Sequence, residues 1–282
     1  MEVAVKKDSR GSTQCKKECM AEVTVISRLR HQNLVQLIGW CHDGGEFHIL
    51  YEYLPNGSLD YHLFCNKTPL AWTVRHKISL GLASALLYLH EEWEQCVLHW
   101  DIKLSNIMLD SSFNVKLGDF GLARLMDHEL GVQTTGLAGT LGYLAPEYVY
   151  IGIASKESDV YSFGVVALEI ATGKKSVDLM EDKGLVEWVW NHYGRELQKA
   201  MDVRLWIEFV EKQVKCLMIV GLWYAHPDQN LRPSVRQAIQ VLNFEATMPN
   251  LPSSMPIPLF HVPAPSVRSG EAFIITSVDM GR

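Results

Sequence analysis

His99-Trp100-Asp101-Ile102-Lys103-Leu104-Ser105-Asn106 is followed by Asp119-Phe120-Gly121 and then by Ala145-Pro146-Glu147. Each string alone recurs by chance in chains of this length, and each could be ordinary turn or loop. Their order and intervals carry the information. Asn106 and Asp119 offer the hard oxygen donors that Mg²⁺ prefers. Lys103 adds a cation two residues from Asp101. These strings predict a loop-rich centre in which polar chemistry is concentrated.

The flanks of this centre differ from each other. Val3-Ala4-Val5 is a short β-rich run, and from Gln14 to Arg30 the residues Val25, Ile26 and Leu29 form a helical stripe. Glu22 lies three, four and seven residues before them and shares their face, where a carboxylate is costly unless it meets a cation. Leu34 to Trp40 and Phe47 to Tyr53 read as strands joined across Asp43-Gly44-Gly45. Beyond Pro55 the pattern is helical. Asn56 or Ser58 is placed to cap a short helix through Phe64. Thr73 to His90 is amphipathic, and Asp159 to Ala171 and Val214 to Tyr224 are apolar enough for central helices. Asn250 to Ser266 is Pro-rich and reads as an extended tail. Strands first and helices after predict an α+β, two-lobed architecture.

At 282 residues and 48% hydrophobic composition the chain can bury a sizeable core. A net charge of -6 without a basic block excludes a nucleic-acid footprint. The six cysteines lack zinc-site spacing and fit a reducing, intracellular compartment. The start turns polar at once, so no signal peptide is expected. The longest apolar run, Phe163 to Ile170, is far short of the roughly 20 residues that span a bilayer.

Taken together, the three opening strings resemble the catalytic segments of a eukaryotic protein kinase. His31-Gln32-Asn33-Leu34-Val35-Gln36-Leu37, Tyr53-Leu54-Pro55-Asn56-Gly57-Ser58-Leu59 and Leu222-Trp223-Tyr224-Ala225-His226-Pro227 resemble the cytoplasmic domain of plant L-type lectin-domain receptor kinases. The resemblance implies a serine/threonine kinase that moves the γ-phosphoryl of ATP, with Mg²⁺, to protein hydroxyls. It makes Asp101 the group that takes the substrate proton and Lys103 the cation on the transferred phosphoryl. Asn106 and Asp119 become the metal ligands. Lys6 becomes the lysine on the α and β phosphates, with Glu22 as its partner. Lys7 competes with Lys6, but strand alternation puts it on the other face.

By the same resemblance Tyr51 is the gatekeeper, the Glu52, Tyr53 and Leu54 backbone meets adenine, and Ala4 and Met108 sandwich the base. Thr140 belongs to the wall that receives the substrate hydroxyl, and Thr134 and Thr135 are candidate phosphosites in an activation segment. Glu147 and Arg232 form an anchoring ion pair, and Asp159 supports the catalytic loop. The implied bounds are a partial N-lobe and hinge at 1-54, a C-lobe at 55-248 and a tail at 249-282. Partners are a protein substrate and partner receptor kinases, with no membrane span in this chain. Its place is cytoplasmic, on the inner side of the plasma membrane in the full-length family.

Two departures stand against the family pattern. The Gly-rich loop that covers the phosphates is absent before Val3, which predicts weakened nucleotide handling and an unprotected sheet edge. Trp100 stands where most such kinases carry an arginine that receives a phosphate, and an indole cannot do so. The alternative reading is therefore a pseudokinase or interaction module. A third, a small-molecule phosphotransferase, is opposed by Ala145-Pro146-Glu147 with Arg232.

Overall fold

Residues 2–8, 13–43, 46–65, 68–126, 132–133, 138–177, 184–205 and 211–257 are described by a computed structural model. The alternating start forms β1 (Val3–Asp8), followed by α1 (Thr13–Ile26), β2 (Leu37–Asp43) and β3 (Glu46–Glu52). Among the described residues these strands make an antiparallel sheet in the order β1-β3-β2. Ala4 pairs with Tyr51 and Lys6 with Ile49, so all four side chains share one face. Cys19 and Val23 of α1 pack there against Phe47 and Ile49.

Several element boundaries differ from the sequence reading, and two of them have a visible cause. The first helix ends at Ile26 rather than Arg30, because Arg28 N–H turns to the Val25 carbonyl in a tighter last turn. Leu29 is still buried. The second strand starts at Leu37 rather than Leu34, because Leu34 and Val35 are drawn to another partner. Leu34 bridges Leu117, and Val35 N–H donates to the Leu117 carbonyl at 3.0 Å. The expected turn at Gly44-Gly45 lies outside the described residues.

The helical lobe begins with a π-helical turn, Tyr61–Cys65. Asn56, expected to cap this segment, instead donates its side-chain amide to the Asp110 carbonyl, and Ser58 bridges Met108. Then come α2 (Trp72–Leu87) and the short strands β4 (Cys96–Leu98), β5 (Ile107–Leu109), β6 (Val115–Leu117), β7 (Arg124–Met126) and β8 (Val132–Gln133). After them follow α3 (Pro146–Ile151), β9 (Ile153–Ala154), α4 (Lys156–Thr172), α5 (Leu185–Tyr193), α6 (Glu211–Tyr224) and α7 (Val235–Leu242). β4 pairs β7, β5 pairs β6 and β8 pairs β9. The short paired strands bracket the central loops from both sides.

Helix α4 is buried from Ser158 to Thr172, which explains its near-continuous apolar sequence. It crosses α6 where Gly164 meets Gly221. A Cβ on Gly164 would sit 2.8 Å from both the Gly221 carbonyl and the Ala225 nitrogen. The fully buried Arg75 ties α2 to the end of α4 by donating to the carbonyls of Leu70 and Ile170 and to Asp202. Past α7 the chain has no helix or strand up to Ile257, yet its start is docked on α5. Trp190 donates to the Pro252 carbonyl at 2.9 Å, and Leu251 N–H donates to the Tyr193 hydroxyl at 3.1 Å.

Gly164→Ala drives a methyl into backbone that cannot retreat. It is expected to cost about 1–3 kcal/mol of folding free energy, read as an earlier denaturation midpoint in urea.

Candidate active site

The site rests on an unusual turn. After β4 the chain passes through His99 to Trp100, whose φ of 65° lies in the left-handed region that a bulky side chain rarely adopts. Asp159, in the first turn of α4 and 1% exposed, holds it there. Its Oδ2 accepts the His99 N–H at 2.7 Å, and its Oδ1 accepts the Trp100 N–H at 2.9 Å. His90 Nε2 lies 3.1 Å from the same Oδ2. The His99 ring braces the next residue: Asp101 N–H donates to Nδ1, leaving Nε2 to donate to the Gly118 carbonyl.

Asp101 emerges from this turn into a closed polar cluster. Its Oδ2 is 2.6 Å from Lys103 Nζ and accepts from Asn106 Nδ2 at 3.1 Å. Its Oδ1 accepts the Thr140 hydroxyl at 2.7 Å, and the Thr140 oxygen in turn accepts from Lys103 at 2.9 Å. Asn106 Nδ2 also donates to the Asp101 carbonyl at 2.8 Å. With its nitrogen so engaged, Asn106 keeps its oxygen as an acceptor.

A second cluster faces it from the sheet. Lys6 Nζ is 2.8 Å from Glu22 Oε2 and 2.7 Å from Asp119 Oδ1. Glu22 is 1% exposed on the inner face of α1. Burial works against the Lys6 ammonium, but Glu22 and Asp119 outweigh it and hold its pKa above the ordinary lysine value. Burial works against the Asp119 carboxylate too, and Lys6 outweighs it, so Asp119 stays below the usual carboxylate range. Lys7 points away and pairs with Glu46 at 2.9 Å. Asp119, like Trp100, has a left-handed φ, here 62°.

A cleft of about 390 Å³ separates the sheet from the helical lobe, and Lys6, Glu22, Asn106 and Asp119 all line it. So do Ala4, Tyr51, Glu52, Tyr53, Leu54 and Met108. Val35, Ser105 and Gly118 also line it, though the sequence gives their side chains no role of their own. The Tyr51 hydroxyl donates to Glu22 Oε1 at 2.5 Å, so Glu22 is gripped by a cation on one oxygen and a phenol on the other. Burial and the Glu22 charge push Tyr51 well above the ordinary tyrosine pKa. The Glu52 carboxylate accepts from Lys116 at 3.0 Å and from Gln36 N–H at 2.9 Å, which binds the cleft's back edge to β6.

Three supports surround these clusters. Arg232 grips Glu147 through two bonds of 2.6 and 2.7 Å, both side chains buried. Trp100, 8% exposed, packs beneath Arg124, whose guanidinium lies 5.5 Å from the ring centroid, and beside Tyr148. Tyr148 hydroxyl accepts the Ala138 N–H. The residue following Gly142 supplies the third support. Tyr143 donates to both oxygens of Glu169, which also accepts the Ser176 N–H at 2.7 Å. Burial raises the Glu169 pKa to about 7. Thr134 and Thr135 lie outside the described residues.

Among the described residues, no set of three or more His, Cys, Asp and Glu side chains could hold a metal by itself. Asn106 and Asp119 could supply one or two oxygen ligands to an ion whose other ligands came from water or a bound anion. No described helix is long and apolar enough to cross a membrane.

Residues 1–243 match the family model "Protein kinase domain". Over its whole length the chain is 64% identical to L-type lectin-domain containing receptor kinase IX.1 of Arabidopsis thaliana, covering 45% of that protein. It is 56% identical to receptor kinase IX.2 of the same plant, with 99% of the chain and 44% of the relative covered. It is 48% identical to L-type lectin-domain containing receptor kinase SIT2 of Oryza sativa subsp. japonica, with 89% of the chain and 38% of the relative covered. The chain thus spans less than half the length of these curated relatives.

Tyr51→Phe leaves Glu22 Oε1 buried without a donor and is expected to cost about 1–3 kcal/mol, measurable by chemical denaturation. Glu169 gives a pH signature of defined sign. Its folded pKa of about 7 exceeds the ordinary 4.5, so the folded state holds a proton that the unfolded state releases. Stability from this group is therefore greatest below the unfolded value and lost as pH rises to about 7. Glu169→Gln should flatten that decline, measured as melting temperature against pH.

Proposed function

Because the chain belongs to the protein kinase domain family, we propose that it transfers the γ-phosphoryl of ATP to serine or threonine hydroxyls of proteins. The observation that carries this reading is the triangle of Asp101, Lys103 and Thr140. It offers a carboxylate acceptor and a cation at one hydroxyl-sized position.

In this reading a substrate hydroxyl approaches Asp101, which orients it and takes its proton as the oxygen attacks the γ-phosphorus. The bond from that phosphorus to the β–γ bridging oxygen breaks, and ADP leaves. Lys103 sits against the charge of the transferred group. Lys6, aligned by Glu22, holds the α and β phosphates, and Tyr51 fixes Glu22 in turn. Bound Mg²⁺ would be held by Asn106 and Asp119 and would offset phosphate charge. Ala4 and Met108 offer the apolar faces for adenine, and the backbone of Glu52 to Leu54 its hydrogen bonds. Lys6, Glu22, Asn106 and Asp119 line one cleft, and Asn106 bonds Asp101 to its edge, an arrangement that turnover requires and an interaction module does not.

We assign 1–54 to the nucleotide lobe and hinge, 55–248 to the substrate lobe and 249–282 to a tail. Thr134 and Thr135 remain the proposed phosphosites, Thr140 the hydroxyl wall, and Glu147, Asp159 and Arg232 the scaffold. The relatives' names as receptor kinases support a place on the cytoplasmic side of the plasma membrane, with a protein substrate and partner receptor kinases as partners.

Asp101→Asn is expected to lower phosphate transfer to a peptide by about 10²–10⁴-fold while nucleotide affinity, read by thermal shift, stays within about twofold. Unchanged turnover in that variant would remove Asp101 from the reaction. Lys6→Met should weaken both nucleotide affinity and turnover, and should raise the Asp119 pKa toward its ordinary value, measurable by carboxyl NMR titration.

A further inference from the structure

A second concavity opens just after α4. It holds about 500 Å³, and its lining includes Phe64, Lys174, Lys175, Val177 and Arg204. Three of these are cations, and no carboxylate lines it among the described residues. In a chain of net charge -6 this is a local reversal of sign.

The three cations are held in different ways. Arg204 spends Nε and Nη2 on Asp202 and Nη1 on the Leu63 carbonyl, so it belongs to the fold. Lys175 Nζ lies 5.4 Å from the Phe64 ring centroid, and Lys174 Nζ lies 4.6 Å from that of Trp188. The Phe64 ring face attracts the Lys175 ammonium without neutralising it. Among the described residues no carboxylate stands within ion-pair distance of Lys175.

The cavity adjoins the Asp101 cluster. Gly142, two residues past Thr140, has a φ of 91°, and a Cβ there would sit 2.5 Å from Val177 Cγ2 and 3.0 Å from Ser176 Oγ. The backbone after Thr140 therefore lies directly on the cavity's rim. Thr140 to Gly142 and Val177 to Lys175 are two residues each, at most about 7 Å apiece. With the Gly142–Val177 contact between them, Lys175 is then within roughly 20 Å of Thr140, the reach of up to about six residues of extended peptide.

We propose that this cavity receives an anionic side chain, carboxylate or phosphate, within about six residues of the acceptor hydroxyl of a protein substrate. The proposal rests on the kinase reading and adds a substrate class to it. Lys175 supplies the recognition, and Arg204 shapes the wall.

The test uses the full chain and serine peptides bearing Asp, phosphoserine, Asn or Lys at those positions. Fluorescence anisotropy without nucleotide should rank Asp about fivefold or more tighter than Asn, phosphoserine tighter still and Lys weakest. The spread should shrink as salt rises. With Mg²⁺ and ATP, kcat/KM should follow the same order. Lys175→Glu should invert it, and Lys175→Gln, which keeps the packing on Phe64, should flatten it. Equal binding and turnover across the four peptides would overturn the subsite, as would an unchanged ranking in Lys175→Glu. Selective binding without transfer to any peptide supports the subsite and defeats the kinase reading; transfer without charge preference does the opposite. A larger gain for phosphoserine than for Asp identifies a phosphate site, and equal gains identify a carboxylate site.

Discussion

A single buried carboxylate, Asp159, fixes the backbone from which the reactive groups project. It accepts the N–H groups of His99 and Trp100 at 2.7 and 2.9 Å and meets His90 at 3.1 Å, while anchored in the most buried helix. A tryptophan at a φ of 65° stores strain of order 1–3 kcal/mol, which persists only where surrounding contacts over-determine it. Two charge-assisted bonds of roughly 1.5–3 kcal/mol each are enough to do so. Asp101 follows immediately, so its direction in the cleft is inherited from α4. Arg124 and Tyr148 pack against the Trp100 indole, so β7 and α3 are tied to the same turn.

The opposing side of the cleft is organised by charge. Lys6 lies between two carboxylates at 2.8 and 2.7 Å. At an effective dielectric near 20, each contact represents a gross attraction of about 6 kcal/mol. Desolvation takes back several kcal/mol per ion, so the net gain is modest. The lasting consequence is geometric. Glu22 cannot leave without abandoning a buried charge, and Asp119 is drawn toward the sheet across the cleft. The two lobes are thus latched by one ammonium group at the point where phosphates are proposed to bind.

Parts of this arrangement were legible in particular residues. Glu22 on the stripe of Val25, Ile26 and Leu29 announced a buried carboxylate in need of a cation, and strand alternation separated Lys6 from Lys7. The two-lobed order of strands and helices followed from where periodicity changes. Other parts left no trace. Nothing around Tyr51 signals that its hydroxyl grips Glu22, because the two are 29 residues apart. Arg75 reads as one polar residue on an apolar helix, yet it is fully buried and satisfied by Leu70, Ile170 and Asp202. Leu34 and Val35 look like strand residues of the small sheet, and competition from Leu117 moves them out of it.

The sequence alone determined which groups exist and on which faces they lie. Periodicities of two and 3.6 assign sides, and the strings around Asp101, Asp119 and Glu147 identify the chemistry. Tertiary structure decided who meets whom. Asp159 reaches a turn 59 residues earlier, Lys6 reaches Asp119 across 113 residues, and Gly142 settles on Val177 to open a basic cavity. A local pattern fixes a residue's orientation on its own element, but hydrogen bonds and ion pairs need partners within about 3 Å. Only the packed chain brings such distant groups that close.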